Sequence, residues 1–153
     1  MIKTYGLHWA VDKVDWGTQG AGNSGTLLGA KTRSKSAKTV DFREQRGIYA
    51  LYADYDLIYV GQAGGGHARL FHRLKEHRND RLSERWNRFS WFGTQRVTRL
   101  NILSVDIEAV KVPFTNALNI VEAVSIAISE PKLNLQRGKW SEAKQYFQPR
   151  DQD

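Results

Sequence analysis

The stretch that decides the fold runs from 47 to 63 and reads GIYALYADYDLIYVGQA. Two apolar runs, GIYALY and LIYVGQA, flank the turn-forming residues ADYD, and this pattern is typical of a β-hairpin. The hairpin would place Tyr49 and Tyr59 on neighbouring strands. A glycine run at 64–66 then predicts a flexible loop that leads into a helix from about 67 to 78.

Length and composition limit the classes of protein to which the chain can belong. With 153 residues, 41% of them hydrophobic, it can form one domain with a buried core. Lysine and arginine number 23 against 16 acids, so the formal charge of +7 favours a polyanionic partner. Cysteine is absent, which excludes disulfides and cysteine-based metal sites.

Hydropathy favours nucleic acid over a membrane as that partner. No apolar run approaches the ~20 residues that a membrane-spanning helix needs. The N-terminal residues lack the apolar core of a signal peptide. We therefore expect a cytoplasmic protein with no membrane partner.

The sequence divides into three segments. Residues 1–46 form a β-rich or irregular extension, which is a candidate DNA-contacting or oligomerising element. Residues 47–139 form the main domain, and residues 140–153 form a tail with a short helix and a polar end. The fold class that we expect is α/β of the α+β type, with a small three-stranded mixed or antiparallel sheet flanked by helices.

Apolar periodicity locates the elements that follow the hairpin. Leu70, Phe71 and Leu74 recur at helical spacing and support the helix near 67–78. For 102–112 the periodicity does not decide between strand and helix. The other expected elements are a short helix at 81–86, a strand at 89–93 with a continuation at 95–100, a buried helix at 115–129 that ends before Pro131, and a short helix at 140–147.

Glu122 is the only charged residue in the apolar helix predicted at 115–129. A carboxylate is costly to bury unless it is paired or coordinates a metal, so one interpretation is a ligand for Mg²⁺. The other interpretation is a narrow solvent-facing stripe, because Asn119, Ser125 and Ser129 lie at helical spacing from Glu122. The helix alone does not decide between them.

Arginine and tyrosine residues near the hairpin are candidates for phosphate chemistry. The planar guanidinium of Arg69 suits bidentate contact with a phosphate, although a solvated arginine on an exposed helix face is the favoured interpretation when Arg69 is taken alone. Tyr49 and Tyr59 are by default half-buried strand aromatics. A tyrosine is a poor base at its ordinary pKa of ~10, so it would act by orienting a water or beside a cation.

Positive charge is concentrated in two further stretches, and this predicts a nucleic-acid footprint. One is the basic, serine-rich run at 31–38, and the other follows the glycine loop. The candidate phosphate contacts are Lys31, Arg33, Lys35, Arg69, Arg73, Arg78 and Arg81.

Taken together, these features resemble the GIY-YIG nuclease superfamily over residues 47–134. Gly47-Ile48-Tyr49 matches its first motif and Tyr59-Val60-Gly61 its second. Arg69 follows Gly61 by eight positions, as the catalytic arginine of the family does. The metal-binding glutamate of the family is matched by Glu122, and its later asparagine by Asn134 after Pro131.

The resemblance implies a small α/β domain that hydrolyses DNA phosphodiester bonds with one Mg²⁺ or Mn²⁺ ion. Glu122 would hold the metal, and Arg69 would contact the scissile phosphate. Tyr49 would position or deprotonate the attacking water, with Tyr59 assisting. Asn134, like the motif glycines Gly47 and Gly61, would support the geometry of the site.

The sequence departs from the family pattern one helical turn after the arginine, where several relatives carry a histidine. Arg73 occupies this position, with His72 beside it and His77 a turn further on. Arginine is effectively always charged, so Arg73 would bind phosphate or tune Tyr49 rather than accept a proton. The group that relays the proton is therefore left open, with His77 as a candidate.

The expected function is a metal-dependent DNA endonuclease in restriction, phage defence, mobile-element activity or repair. Specificity would come from residues 1–46, from loops, or from a partner subunit, and double-strand cleavage would require a homodimer or successive nicks. Two alternatives stay open. One is a non-catalytic nucleic-acid-binding module with the same fold, and the other is an RNase with RNA as its partner.

Overall fold

A computed structural model of the chain describes most of the molecule outside one long stretch. The described residues are 2–18, 20, 22–64, 68–105, 124–125, 128 and 143–150. Their strands are β1 (Thr4–Ala10), β2 (Leu28–Ala30), β3 (Thr39–Asp41), β4 (Gly47–Ala53), β5 (Asp56–Ala63), β6 (Arg88–Gly93) and β7 (Lys144–Tyr146). Their helices are a 3-10 helix (Val11–Lys13) and α1 (Leu70–His77).

Five of the strands form one mixed sheet in the order β5-β4-β6-β1-β7. The β4–β5, β4–β6 and β1–β6 pairs are antiparallel, whereas β1 and β7 are parallel. Strands β2 and β3 form a separate antiparallel hairpin. On β4, Tyr49 lies opposite Gly61 of β5 on one side and Trp91 of β6 on the other. This register places the first tyrosine motif between β5, an edge strand, and β6, the central strand of the sheet.

The hairpin predicted from the sequence is confirmed as β4 and β5. Its turn contains Asp54 at φ 55°, a left-handed conformation that aspartate tolerates better than most residues. Asn87 fixes this turn, since its Oδ1 accepts from the backbone N–H of Asp54 at 2.7 Å and its Nδ2 donates to the Asp54 carboxylate at 2.9 Å. The β4–β5 hairpin is therefore held by the residue that precedes β6 as well as by its own ladder.

The two faces of the sheet have separate cores, because successive side chains of a strand point to opposite faces. Tyr49, Leu51 and Trp91 face α1 and the β2–β3 hairpin, in a cluster that includes Leu74 and Phe42. The opposite face carries a second cluster, formed by Tyr5, Ala50, Tyr52, Phe92, Val124 and Ile128. Alternation along β4 thus separates Tyr49 from Tyr52.

Helix α1 begins later than the sequence predicted. Leu70, Phe71 and Leu74 are buried as expected from their spacing, but Arg69 is the extended N-cap residue and not a helical one. The N–H groups of Leu70 and Phe71 donate to the carbonyl oxygens of Gln45 and Arg43, at 2.9 and 3.1 Å. The first backbone N–H groups of a helix have no partner within the helix, and two of them in α1 are therefore paired with the turn before β4.

The fold class predicted from the sequence is wrong. The described part of the chain is mostly sheet, with one α-helix among the named elements, rather than a three-stranded sheet flanked by helices. The additional strands are β1 and β7, and both pair across long sequence separations. The tail predicted as a helix at 140–147 supplies β7, whose pairing with β1 overrides local helical propensity.

Two smaller elements also differ from expectation. Residues 81–84 form turns rather than a helix, and residues 95–100 are irregular apart from an isolated bridge between Val97 and Leu103. Within the helix predicted at 115–129, three described residues, 124, 125 and 128, are helical. No helix in the described portion has the length and apolar character required to span a membrane.

Candidate active site around Tyr49

Tyr49 lies at the centre of the candidate site and has no solvent-exposed surface (0%). Its phenol packs beside the ring of Tyr59, with 6.2 Å between the ring centroids. Gly61, directly opposite on β5, contacts the Tyr49 hydroxyl so closely that a side chain at position 61 would overlap it. The two tyrosine motifs thus meet through Tyr49, Tyr59 and Gly61.

A chain of hydrogen bonds leads from this hydroxyl to the end of α1. The Oη atom of Tyr49 lies 2.7 Å from Nε2 of His77, and Nδ1 of His77 lies 2.8 Å from Oδ2 of Asp80. An ionised carboxylate can only accept, so Nδ1 carries a proton. In the neutral imidazole Nε2 then accepts the phenol proton. In this series of hydrogen bonds the Tyr49 hydroxyl donates to Nε2 of His77, and Nδ1 of His77 donates to the Asp80 carboxylate. This order suits proton transfer.

The pKa of the Asp80 carboxyl is lowered despite a desolvation effect that raises it. The backbone N–H of Leu82 donates to its Oδ1 at 2.8 Å, and His77 and Arg81 also favour the charged form. Asp80 is therefore ionised at neutral pH and stabilises the protonated Nδ1 of His77. The i,i+3 spacing of His77 and Asp80 is the sequence signal for this pair, although Asp80 was not among the residues predicted for the site.

Burial raises the pKa of Tyr49 to about 12, and the neighbouring phenol of Tyr59 adds to this. The guanidinium of Arg73 acts in the opposite direction, through its charge and a hydrogen bond. Burial is the stronger effect, so Tyr49 is a neutral phenol at pH 7. A free phenolate base is excluded in this conformation, and any proton that Tyr49 accepts must be matched by one that it passes on.

His77 is held in place by the turn that follows α1. It is 4% exposed, and its carbonyl oxygen accepts from the indole Nε1 of Trp86 at 3.0 Å. Its ring also packs against Tyr59, with centroids 4.8 Å apart. A histidine so enclosed is restricted to one orientation, which preserves its contact with Tyr49.

Arg73 occupies the position one turn after Arg69 and faces the Tyr49 hydroxyl. Its Nη1 donates to Oε2 of Glu76 at 2.7 Å, and its side chain is 30% exposed. Glu76 also pairs with His72 at 2.9 Å. His72 is therefore engaged on the exposed face of α1, and His77 is the histidine that reaches Tyr49.

A groove of about 620 Å³ opens beside this cluster. Gly61 and Arg73, which both approach the Tyr49 hydroxyl, are among the residues that line it. The other lining residues are Ile48, Val60, Gln62 and Ala68. The groove therefore brings solvent to the neighbours of Tyr49 without reaching its ring.

The other residues predicted for the site have different placements. Gly47 adopts φ 149°, and a side chain there would overlap the carbonyl oxygen of Phe92, so the glycine is required by the backbone. Arg69 is half-buried at the N-cap of α1, at the opposite end of the helix from His77. Glu122 and Asn134 lie outside the described residues.

Five of the seven predicted phosphate contacts fall on two exposed surfaces, and the other two, Arg69 and Arg73, are half-buried. Arg78 and Arg81 follow α1 directly and are exposed. Lys31, Arg33 and Lys35 are exposed in the loop between β2 and β3, where the guanidinium of Arg33 lies 4.9 Å from the ring centroid of Phe147. Both surfaces present cations to solvent beside the sheet.

Within the described ranges, no three histidine, aspartate or glutamate side chains lie close enough together to hold a metal ion. The described groups around Tyr49 are the phenol of Tyr59, the guanidinium of Arg73 and an imidazole already bonded to a carboxylate. Comparison with protein-family models, with curated proteins and with solved structures found no match to this chain.

Proposed function

We propose that the chain is a divalent-metal-dependent endonuclease that hydrolyses DNA phosphodiester bonds, with Tyr49 at its active site. One observation carries this proposal: the hydrogen-bonded chain of Tyr49, His77 and Asp80 beside the guanidinium of Arg73. The chain can move a proton, and the arginine can bind a phosphate. Both properties are needed for attack of water on a phosphodiester.

In the proposed reaction, water attacks phosphorus while its proton passes to Oη of Tyr49. The phenol proton passes at the same time to Nε2 of His77, and Asp80 stabilises the imidazolium. A bond forms between the water oxygen and phosphorus, the bond from phosphorus to the 3′ oxygen breaks, and the leaving oxygen takes a proton from solvent. Tyr49 stays neutral throughout, as its pKa of about 12 requires.

The burial of Tyr49 gives Arg73 a second role in this proposal. In this proposal, water reaches the buried phenol when the Arg73 side chain, which is partly exposed and bonded to Glu76, moves away from it. A phosphate in the adjoining groove would attract the guanidinium by a charge-assisted hydrogen bond. Substrate binding would then open access to Tyr49.

The metal in the proposal depends on Glu122. The described groups around Tyr49 are not the carboxylate and carbonyl oxygens that Mg²⁺ prefers, so they do not by themselves make a magnesium site. A metal held by Glu122 would supply charge stabilisation to the phosphate.

Nicking of supercoiled plasmid with Mg²⁺ or Mn²⁺ tests the proposal. Tyr49→Phe, His77→Ala, Arg69→Ala and Glu122→Gln should each lower the rate by about 100-fold or more, as removal of a proton-transfer or charge-stabilising group does. Tyr52→Phe is the matched control. Tyr52 is also fully buried on β4 but faces the other side of the sheet, where its hydroxyl donates to the carbonyl oxygen of Ile128 at 3.2 Å.

A non-catalytic nucleic-acid-binding module is the second candidate, and the complete burial of Tyr49 favours it. The two candidates give different results in the same assay. A binding module would retain DNA without nicking it in any metal, and Tyr49→Phe would bind as the wild type does. Labelled RNA and DNA digested side by side would separate an RNase from a DNase.

A further inference from the structure

A second pocket lies at the far end of α1 from Arg69, and the proposed reaction does not use it. It has a volume of about 550 Å³, within the ~300–1,000 Å³ of small-molecule sites. Its walls are formed by two indoles, two guanidinium groups and two short polar side chains. These are Trp16, Trp86, Arg78, Arg88, Asp12 and Asn87.

The two indoles are fixed in mutually perpendicular planes. Their ring centroids are 6.3 Å apart and the planes meet at 90°. Nε1 of Trp16 donates to the carbonyl oxygen of Val11 at 2.9 Å, and Nε1 of Trp86 donates to that of His77 at 3.0 Å. Each indole N–H thus has a backbone partner, so the rings are held in place before any ligand binds. Preorganisation of this kind lowers the cost of binding.

The cations of the pocket are also held by aromatic rings. The guanidinium of Arg78 lies 4.6 Å from the ring centroid of Trp16, and that of Arg88 lies 5.2 Å from the ring centroid of Tyr55. Arg88 also donates from Nη1 to the carbonyl oxygen of His8 at 3.0 Å. Positive, planar groups therefore lie beside the indoles, while the exposed carboxylate of Asp12 adds an acceptor.

Indoles and guanidinium planes are the groups on which proteins stack unpaired bases. A carboxylate accepts from the exocyclic amines of bases, and arginine donates to their ring and carbonyl acceptors. The pocket is of single-ligand size, so it suits one base and not a duplex. Trp86 joins it to the candidate active site through the hydrogen bond to His77.

We propose that this pocket binds one unpaired nucleobase of the nucleic acid whose backbone passes the Tyr49 site. The proposal rests on the proposed function for its choice of ligand. Because Phe71 and Arg78 already cover the Trp16 ring, the base stacks on the guanidinium of Arg78, and its polar edge faces Asp12. The segment 11–16, which precedes the nuclease-like part of the chain, thereby contributes to substrate recognition.

Two hexanucleotides of equal charge test the proposal without cleavage, in EDTA. One carries natural bases, and the other has the same phosphates with abasic tetrahydrofuran sugars. The protein is labelled with 5-fluorotryptophan, and each fluorine signal is assigned by a Trp→Phe variant. We expect the natural strand to bind about fivefold or more tightly, as stacking of one base provides. The signals of Trp16 and Trp86 should shift, while those of buried Trp9 and Trp91 should not.

Arg78→Gln and Arg81→Gln form a matched pair of variants. Both residues are exposed and both changes remove one charge, but only Arg78 lines the pocket. Arg78→Gln should reduce the preference for the natural strand, whereas Arg81→Gln should weaken both strands equally. This comparison does not depend on a substitution in the packed indoles.

Equal affinity for the two strands would overturn the inference and leave the nuclease proposal standing. The same holds if neither hexanucleotide binds although plasmid is nicked in Mg²⁺. If neither strand binds and plasmid is not nicked, both proposals fail.

Discussion

Gly61 lies against the hydroxyl oxygen of Tyr49 so closely that it leaves no room for a Cβ atom. The glycine faces the tyrosine across the β4–β5 ladder, and its missing side chain is the space that the phenol occupies. Tyr59 borders the same position, since its ring would also meet a side chain at 61. Gly61, the glycine of the second motif, is therefore required for the position of Tyr49, the tyrosine of the first motif.

Gly61→Ala is expected to displace the Tyr49 phenol from His77. Overpacking of this kind costs about 1–3 kcal/mol of unfolding free energy, which urea denaturation would measure. Gln62→Ala is the control, because Gln62 is exposed on the same strand and should change stability by less than about 0.5 kcal/mol. Equal stability of the two variants would show that Tyr49 can move without cost.

Alkaline stability should report the buried phenol. Burial raises the pKa of Tyr49 from 10.0 to about 12, so its contribution is fully present below pH 10 and is lost as the pH rises towards 12. Between these two pH values the phenol is ionised in the unfolded chain but not in the folded protein. The free energy of unfolding therefore falls by about 1.4 kcal/mol per pH unit for one phenol. Tyr49→Phe should flatten the slope of unfolding free energy against pH by this amount. An unchanged slope would contradict the raised pKa.

Arg73 should set the position of that titration. Its positive charge lowers the pKa of Tyr49 against the effect of burial, so Arg73→Gln is expected to move phenol ionisation to higher pH. The difference in tyrosinate absorbance between each protein and its Tyr49→Phe partner would isolate this titration. Arg85→Gln, at an exposed position in the turn after α1, should leave it unchanged.

Acid stability should report Asp80, whose folded pKa is lowered. Its contribution to the free energy of unfolding is present above the pKa of about 4 that it has in the unfolded chain. This contribution is lost as the pH falls through the lower pKa that it has in the folded protein. Asp80→Asn should therefore remove part of the acid-side fall in melting temperature between pH 6 and about 3. Asp56→Asn, at an exposed position on β5, should retain that fall. Identical profiles for the two variants would argue against the His77–Asp80 pair.

The loop between β2 and β3 should affect how DNA affinity depends on salt. Lys31, Arg33 and Lys35 are exposed, and the triple change to Gln should reduce the slope of log affinity against log salt by about one for each phosphate that the loop neutralises. Fluorescence anisotropy with a labelled duplex at several salt concentrations would measure it. The melting temperature should not change, so an unaltered slope would mean that the loop does not touch phosphate.

Local patterns were sufficient to predict the β4–β5 hairpin. Gly47–Ala53 and Asp56–Ala63 contain two apolar and aromatic runs with turn formers between them, and this combination is typical of a hairpin. Strand β7 was assigned to a helix because the sequence around it suits one. What makes it a strand is β1, about 140 residues earlier, and no local window contains that partner.

The site was predicted in part for a similar reason. Motif spacing identified Tyr49 and Tyr59, whose rings do lie together in the structure. It assigned the phosphate contact to Arg69 and predicted that Arg73 would bind phosphate or tune Tyr49, and the guanidinium of Arg73 does lower the pKa of Tyr49. Asp80 was missed because it follows the helix and reaches back to His77 from a turn.

The parallel pairing of β1 and β7 has a consequence for the chain while it is being synthesised. β1 leaves the ribosome well before β6, which follows about 80 residues later and covers one of its edges. The other edge of β1 is covered only after Lys144–Tyr146 has been synthesised. Contacts of such long range form slowly, and an uncovered strand edge is a template for association with other chains. The nascent protein therefore has an interval in which its folding depends on keeping β1 apart from its neighbours.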